Sequence, residues 1–227
     1  MAKRSSSKVL LTARQKEYFV VSAAPMETST EKIQKWHHPG GKLVELGPHA
    51  LKQDELLAIL IGAGVPGRPA LAIANAILDE YVGLHGIHRR ATVDDLAQIA
   101  GLGRRKAARI FAAVELGRRL HKLTTLSKAS SKVEDDLFTP LQPISRPEPQ
   151  QERPSDTELI AQIIGSGIRG RPPKIIAKDL LAHFGSFLGL FGQDMGQFLS
   201  IKGLNSVKAI RIAATLEIAK RISHALS

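Results

Sequence analysis

The feature that most constrains this 227-residue chain is an internal repeat. Residues 56–81 align with 159–184 at a shift of 103, and 11 of the 26 positions are identical. The identities include Gly62/Gly165, Gly64/Gly167, Gly67/Gly170, Arg68/Arg171 and Pro69/Pro172. Residues 96–119 align with 198–221 at a shift of 102, with 10 of 24 positions identical. The change of shift puts a one-residue deletion between the two blocks of the second copy. Glycines that recur in register mark backbone positions where a side chain would cause strain, so the match is more than shared composition. The chain reads as a tandem duplication.

Within each copy the apolar period is helical. Leu56, Ile59 and Leu60 lead into a glycine turn, and Leu71, Ala74, Ile77, Leu78 and Tyr81 follow at three and four spacing. Leu96 and Ile99 precede Gly101-Leu102-Gly103, after which Ala107, Ile110, Phe111, Val114 and Leu116 continue a long helix. Thr92 and Asp94 suit the N-cap of the short helix before that turn. Aromatics are only 4% of residues, so the core must be Leu, Ile, Val and Ala, which suits closely packed helices. The expected fold is all-α, with two domains of roughly five helices each. The expected boundaries are a basic arm over 1–39, a first domain over 40–122, a linker over 123–151 and a second domain over 152–227. The linker is rich in Ser and Thr and clusters Pro140, Pro143, Pro147 and Pro149. The arm has no acid before Glu17 and reads as a nucleic-acid arm, with an organelle transit peptide as the rival reading.

Composition removes whole classes of function. There is no Cys, hence no disulfide, no thiolate zinc site and no Cys nucleophile. No apolar run approaches a membrane span, and no signal-peptide core follows the basic start, so a cytoplasmic protein is expected, nucleoid-associated if bacterial. The formal charge is +11. Residues 1–35, 36–122 and 151–227 each carry +4, whereas 123–150 carry −1. That balance favours a polyanionic partner.

The segment from Ile99 to Ile110 has the pattern of a helix-hairpin-helix. A helix ends, an apolar residue flanked by glycines makes a tight turn, and a second helix begins. Free N–H groups at that second start, with the positive end of the dipole, form an anion site from backbone alone. Gly101, Leu102 and Gly103 build the expected phosphate turn, and Arg104, Arg105, Lys106 and Arg109 supply charge. Cations there oppose their own helix dipole, so helix stabilisation does not explain them. A plain helix–helix turn with a solvated charged face is the bland alternative. In the second copy Gly203, Asn205, Lys208 and Arg211 hold the matching positions. Asn tolerates the left-handed region, so the turn is expected to survive there with weaker phosphate contact. The upstream turns put Pro69 and Pro172 at a helix N1 position and offer Arg68, Arg169 and Arg171 as a secondary phosphate site, against a purely structural turn.

These residues resemble a known family. Residues 42–51, then Glu55 to Gly64, then Ile99 to Gly103, are similar to the N-terminal helix-hairpin-helix domain of RadC-family proteins. Residues 155–167 resemble the same block again. The resemblance covers about 36–122 and 151–224. The family's usual C-terminal part is metalloprotease-like, with a His-x-His and distal Asp metal motif. This chain has no His-x-His, and the second copy occupies that place. The resemblance therefore implies the DNA-binding module without the hydrolase.

No catalytic constellation emerges. His37 and His38 are adjacent before a Pro-Gly-Gly loop, and His85 and His88 lack an evident carboxylate partner. Asp94-Asp95 and Asp79-Glu80 read as helix caps and solvated acids, and Glu134, Asp135 and Asp136 lie in the linker. Trp36 is expected to pack against the first copy. The reading is a sequence-nonspecific DNA binder for duplex or branched DNA, in repair or recombination, with no catalysis, metal or cofactor. A non-catalytic protein adaptor is the alternative, and RNA stays open although no RNA-recognition aromatic pattern is visible.

Overall fold

The computed structural model describes residues 38–130 and 153–227. Among these the chain is helical. The first half runs α1 (Pro39–Leu46), a 3-10 turn (Pro48–Ala50), α2 (Gln53–Ile61), α3 (Ala70–Tyr81), α4 (Leu84–Arg90), α5 (Val93–Gln98) and α6 (Gly103–Ser130). The second half runs α7 (Asp156–Ile164), α8 (Pro173–Phe184), a 3-10 turn (Leu188–Leu190), α9 (Met195–Leu199) and α10 (Ser206–Leu226). Extended pairing among the described residues is limited to two isolated bridges, Val65–Arg68 and the matched Ile168–Arg171.

Local chemistry sets most of the helix starts. Thr92 and Asp95 form a capping box on α5, and Ser155 and Glu158 form one on α7. The hydrogen bonds from Thr92 hold the Asp95 carboxyl below the usual range, and those from Lys174 and Ser155 bring Glu158 to about 2. His38 caps α1, its Nδ1 accepting from the Gly41 amide, so this histidine has a structural role. Pro69 and Pro172 are themselves the N-caps of α3 and α8, one residue earlier than the N1 position expected. Arg68 and Arg171 accordingly fall outside the helices, in the bridged turns.

Helices α2, α3, α5 and α6 match α7, α8, α9 and α10 by sequence alignment. The one-residue deletion falls where the first half has α4 and the second has only a three-residue 3-10 turn. The second half thus has four α-helices among the described residues, fewer than the five expected. Helix α6 continues to Ser130, so the first residues assigned to the linker are helical. The basic arm up to His37, Trp36 and Glu134–Asp136 lie outside the described residues.

The described residues of both halves fall within one compact unit that holds two core clusters. The core around Leu56, Leu60, Ile73, Ile77, Leu96 and Ile110 is completed by Ala213, Ala214, Ile218 and Ile222 of α10. The core around Ile160, Ile163, Ile176, Leu180 and Phe198 is completed by Ala112 and Leu116 of α6. Each long helix finishes the other half's interior. Burying one Ile or Leu is worth about 1.5–3 kcal/mol, so pulling the halves apart would expose several such side chains at once. Where the long helices meet, a Cβ on Gly117 of α6 would lie 2.9 Å from Ile222 Cβ and 3.0 Å from the Ala219 carbonyl. Small residues at the matched positions 117 and 219 permit that approach.

Ion pairs follow the same exchange. Arg119 of α6 binds Glu115 on its own helix and reaches Asp156 and the Pro154 carbonyl at the start of α7. The matched Arg221 of α10 binds Glu217 at 2.8 Å and reaches the His49 carbonyl at 3.3 Å in the first half.

Candidate nucleic-acid interface

The turn joining α5 to α6 is held by the Leu102 amide donating to the Ile99 carbonyl at 3.0 Å. Leu102 itself is buried in the core. Gly101 has φ +87°, and a Cβ there would meet Ile73 Cδ1 at 2.9 Å and Val65 Cγ2 at 3.0 Å. The tip of this turn is therefore packed against α3 and the 62–69 loop. The second half repeats the construction. The Leu204 amide donates to the Ile201 carbonyl at 3.0 Å, and a Cβ on Gly203 would lie 2.7 Å from Ile176 Cδ1.

One residue further on the turns diverge. Gly103 has φ +63°, with nothing within 4 Å of its Cβ position. Asn205, its counterpart, does not take the left-handed conformation expected of it. It is extended at φ −116°, and its side chain accepts from the Lys208 amide at 3.1 Å. The reason is N-capping: an extended Asn satisfies an orphan donor of the new helix, which a left-handed one at this position would not. Arg104 and Arg105 stand in the first turn of α6, whose leading N–H groups have no acceptor within the helix.

The cations divide into two groups. Those shared by both copies turn inward. Lys106 Nζ donates to the Ala63 carbonyl at 2.7 Å and the Gly101 carbonyl at 3.1 Å, and Lys208 Nζ donates to the Gly203 carbonyl at 2.8 Å. Lys208 is 6% exposed. Arg109 donates to the Leu60 carbonyl at 2.5 Å, and Arg211 to those of Ile163 at 3.3 Å and Ile164 at 3.0 Å. These carbonyls end α2 and α7. Both arginines oppose the dipole of their own helix but complement the negative end of a neighbouring one. Lys208 Nζ thus ties its own turn, while Nη donors of Arg109 and Arg211 tie the ends of α2 and α7. Burial, together with the neighbouring Arg211, lowers Arg109 to about 10, and burial also lowers Arg211 and Lys208.

The copy-specific cations turn outward. Arg104 and Arg105 are exposed, and Arg104 makes only a 3.3 Å ion pair with Asp94, itself exposed. Pairs of that kind contribute little and exchange readily. The matched positions in α10 are Ser206 and Val207. Of the upstream arginines, Arg68 donates to the Ala100 carbonyl at 2.8 Å and Arg171 pairs with Asp179, both internal ties, while Arg169 is exposed. No group of three His, Asp or Glu able to hold a metal occurs among the described residues. No described helix is long and apolar enough to cross a membrane.

The inward role of the shared cations was missed from sequence, although their opposition to the local dipole was the available signal. A groove between the halves was also missed, because its two walls come from different copies.

Comparison with known proteins places similarity over both halves. The UPF0758 N-terminal family matches residues 31–108 and 150–210. A UPF0758 protein of Burkholderia cenocepacia is 38% identical over 98 residues, covering 43% of this chain and 36% of the relative. One from Alkaliphilus oremlandii is 38% identical over 110 residues, 48% of this chain and 47% of the relative. One from Halalkalibacterium halodurans is 31% identical over 112 residues, 49% and 48% respectively. The matched region spans between about a third and a half of these relatives' length. No solved structure matches.

Proposed function

The chain belongs to the UPF0758 N-terminal family, and from that premise we propose that it binds DNA through backbone phosphate at the Ile99–Arg105 turn. The reading treats the two halves as tandem helix-hairpin-helix copies, of which the first carries the DNA contact. The observation that carries it is the exposed first turn of α6, where the leading N–H groups have no acceptor within the helix and Arg104 and Arg105 are exposed beside them. A phosphate there accepts from backbone N–H groups, is favoured by the dipole, and meets two guanidiniums suited to bidentate contact. None of these groups reads a base edge, so sequence preference is small.

Fluorescence anisotropy with duplex, four-way-junction and single-stranded DNA, plus an RNA duplex, tests the proposal. The expected result is preference for duplex or junction DNA, indifference to sequence, and affinity that falls steeply with salt through counterion release. Affinity independent of salt, or strong preference for one sequence, overturns it.

A further inference from the structure

An open groove of about 560 Å³ lies between the halves. Its walls include Ile59, Pro69 and Leu71 from the first half, and Val207, Ile210 and Arg211 from the second. Leu71 is 40% exposed and Val207 60% exposed, so among the described residues this apolar surface is not covered. The repeat supplies an internal control. At the positions matching Ile59, Leu71, Val207 and Ile210, the chain carries Gln162, Lys174, Arg105 and Ala108. The architecture accepts polar and cationic side chains there, so the apolar character of this groove is not demanded by the fold.

Charge narrows the occupant. Among the described residues no carboxylate lines the groove, and the titratable side chains that do are His38, engaged as a helix cap, and Arg211. Arg211 Nη1 and Arg109 Nη2 both lie within 3.5 Å of the Cβ position of Gly165, so the two guanidiniums are neighbours. Among the described residues neither meets an acid, and the Nε of each is buried without an acceptor. Among the described residues these two adjacent, partly desolvated cations are held by carbonyls, and Arg211 brings that positive charge to the groove wall.

We propose that this groove docks a segment of a partner protein whose apolar side chains pack on Leu71, Val207 and Ile210 and whose carboxylate faces Arg211. The site is separate from the α6 turn and stands on different observations from the DNA reading.

The test uses the full chain and a short fluorescein-labelled peptide with leucines at helical spacing and flanking aspartates. One control peptide replaces leucine by serine and keeps the charge; another replaces aspartate by asparagine and keeps the leucines. The expected result is binding of the first peptide about tenfold or more tighter than either control. Val207→Glu and Leu71→Gln, both exposed changes, lower its affinity by a similar factor with an unchanged thermal melt. DNA affinity of the Leu71→Gln protein stays within about twofold, so failure of either site is read separately. Equal binding of the serine control would mean diffuse attraction to a basic protein and overturns the proposal. So does an affinity that Val207→Glu and Leu71→Gln leave unchanged.

Discussion

The turns at 99–105 and 201–207 are one construction put to two uses. Both place an apolar residue in the core, both need a glycine whose Cβ would strike an isoleucine, and both send a Lys back to their own turn carbonyl. They part most clearly from position 103 onward. Gly103 leaves the first turn of α6 open and is followed by Arg104 and Arg105, whereas Asn205 caps α10 and is followed by Ser206 and Val207. Residues identical in the copies maintain the packing; residues that differ decide what each surface can meet. Identity between repeats is therefore a guide to architecture, and divergence a guide to contact.

The shared part is the most sensitive to change. Gly101→Val and Gly203→Val each combine an unfavourable positive φ, about 1–2 kcal/mol, with overpacking of about 1–3 kcal/mol. Both are expected to lose about 3 kcal/mol in urea denaturation, and by similar amounts. A large inequality would mean that the two turns do not bear equivalent packing.

The unshared part comes next. Arg104→Glu with Arg105→Glu is expected to weaken DNA binding about thirtyfold, or about 2 kcal/mol. Lys202→Glu with Lys220→Glu reverses the same number of exposed charges in the second half and is expected to cost about threefold or less. Equal losses would reduce the first turn to one part of a diffuse positive field.

Acid stability separates the halves a third time. Burial pushes Glu115 upward, but the hydrogen bonds from Arg118 and Arg119 outweigh it and hold the carboxyl below its usual range. A depressed carboxyl contributes in full above the unfolded value near 4.3, and that contribution is lost as pH falls through the folded value. Glu115→Gln is expected to cost about 1–2 kcal/mol at neutral pH and to flatten the fall in melting temperature below about pH 4.5. Glu217 binds Arg221 alone, so Glu217→Gln is expected to cost about half as much. Thermal melts across pH check both.

How far the sequence reaches follows from the same contrast. Helices, turns and Thr92 as an N-cap were legible because they depend on local periods and local hydrogen bonds. The all-α class followed from an aromatic-poor core and glycines in register. The inward Arg109 and Arg211 were not legible, since each is explained by a helix end some 48 residues away in sequence. The shared interior escaped for a related reason: Ile218 and Ile222 fit their own helix period whichever core they enter. The groove lined by Leu71 and Val207 could not be read from one copy at all.

The smallest expected effects belong to position 103 and its counterpart, and they ask whether amides or cations hold the phosphate. Asn205→Gly removes a cap but keeps a permitted backbone, so it is expected to cost only a few tenths of a kcal/mol. It frees the Lys208 amide yet adds no charge, and DNA affinity is expected to rise about twofold at most. Gly103→Asn runs the other way. An Asn side chain there can adopt the capping geometry seen at Asn205 and take up the Lys106 amide, with a stability change below about 1 kcal/mol. Arg104 and Arg105 remain exposed in that variant, so the charge of the turn is untouched. If backbone donors hold the phosphate, Gly103→Asn lowers DNA affinity about threefold by anisotropy without altering the salt slope, because the same cations are still neutralising phosphates. If affinity is unchanged while Arg104→Glu with Arg105→Glu weakens it, the guanidiniums carry the contact and the open amides do not.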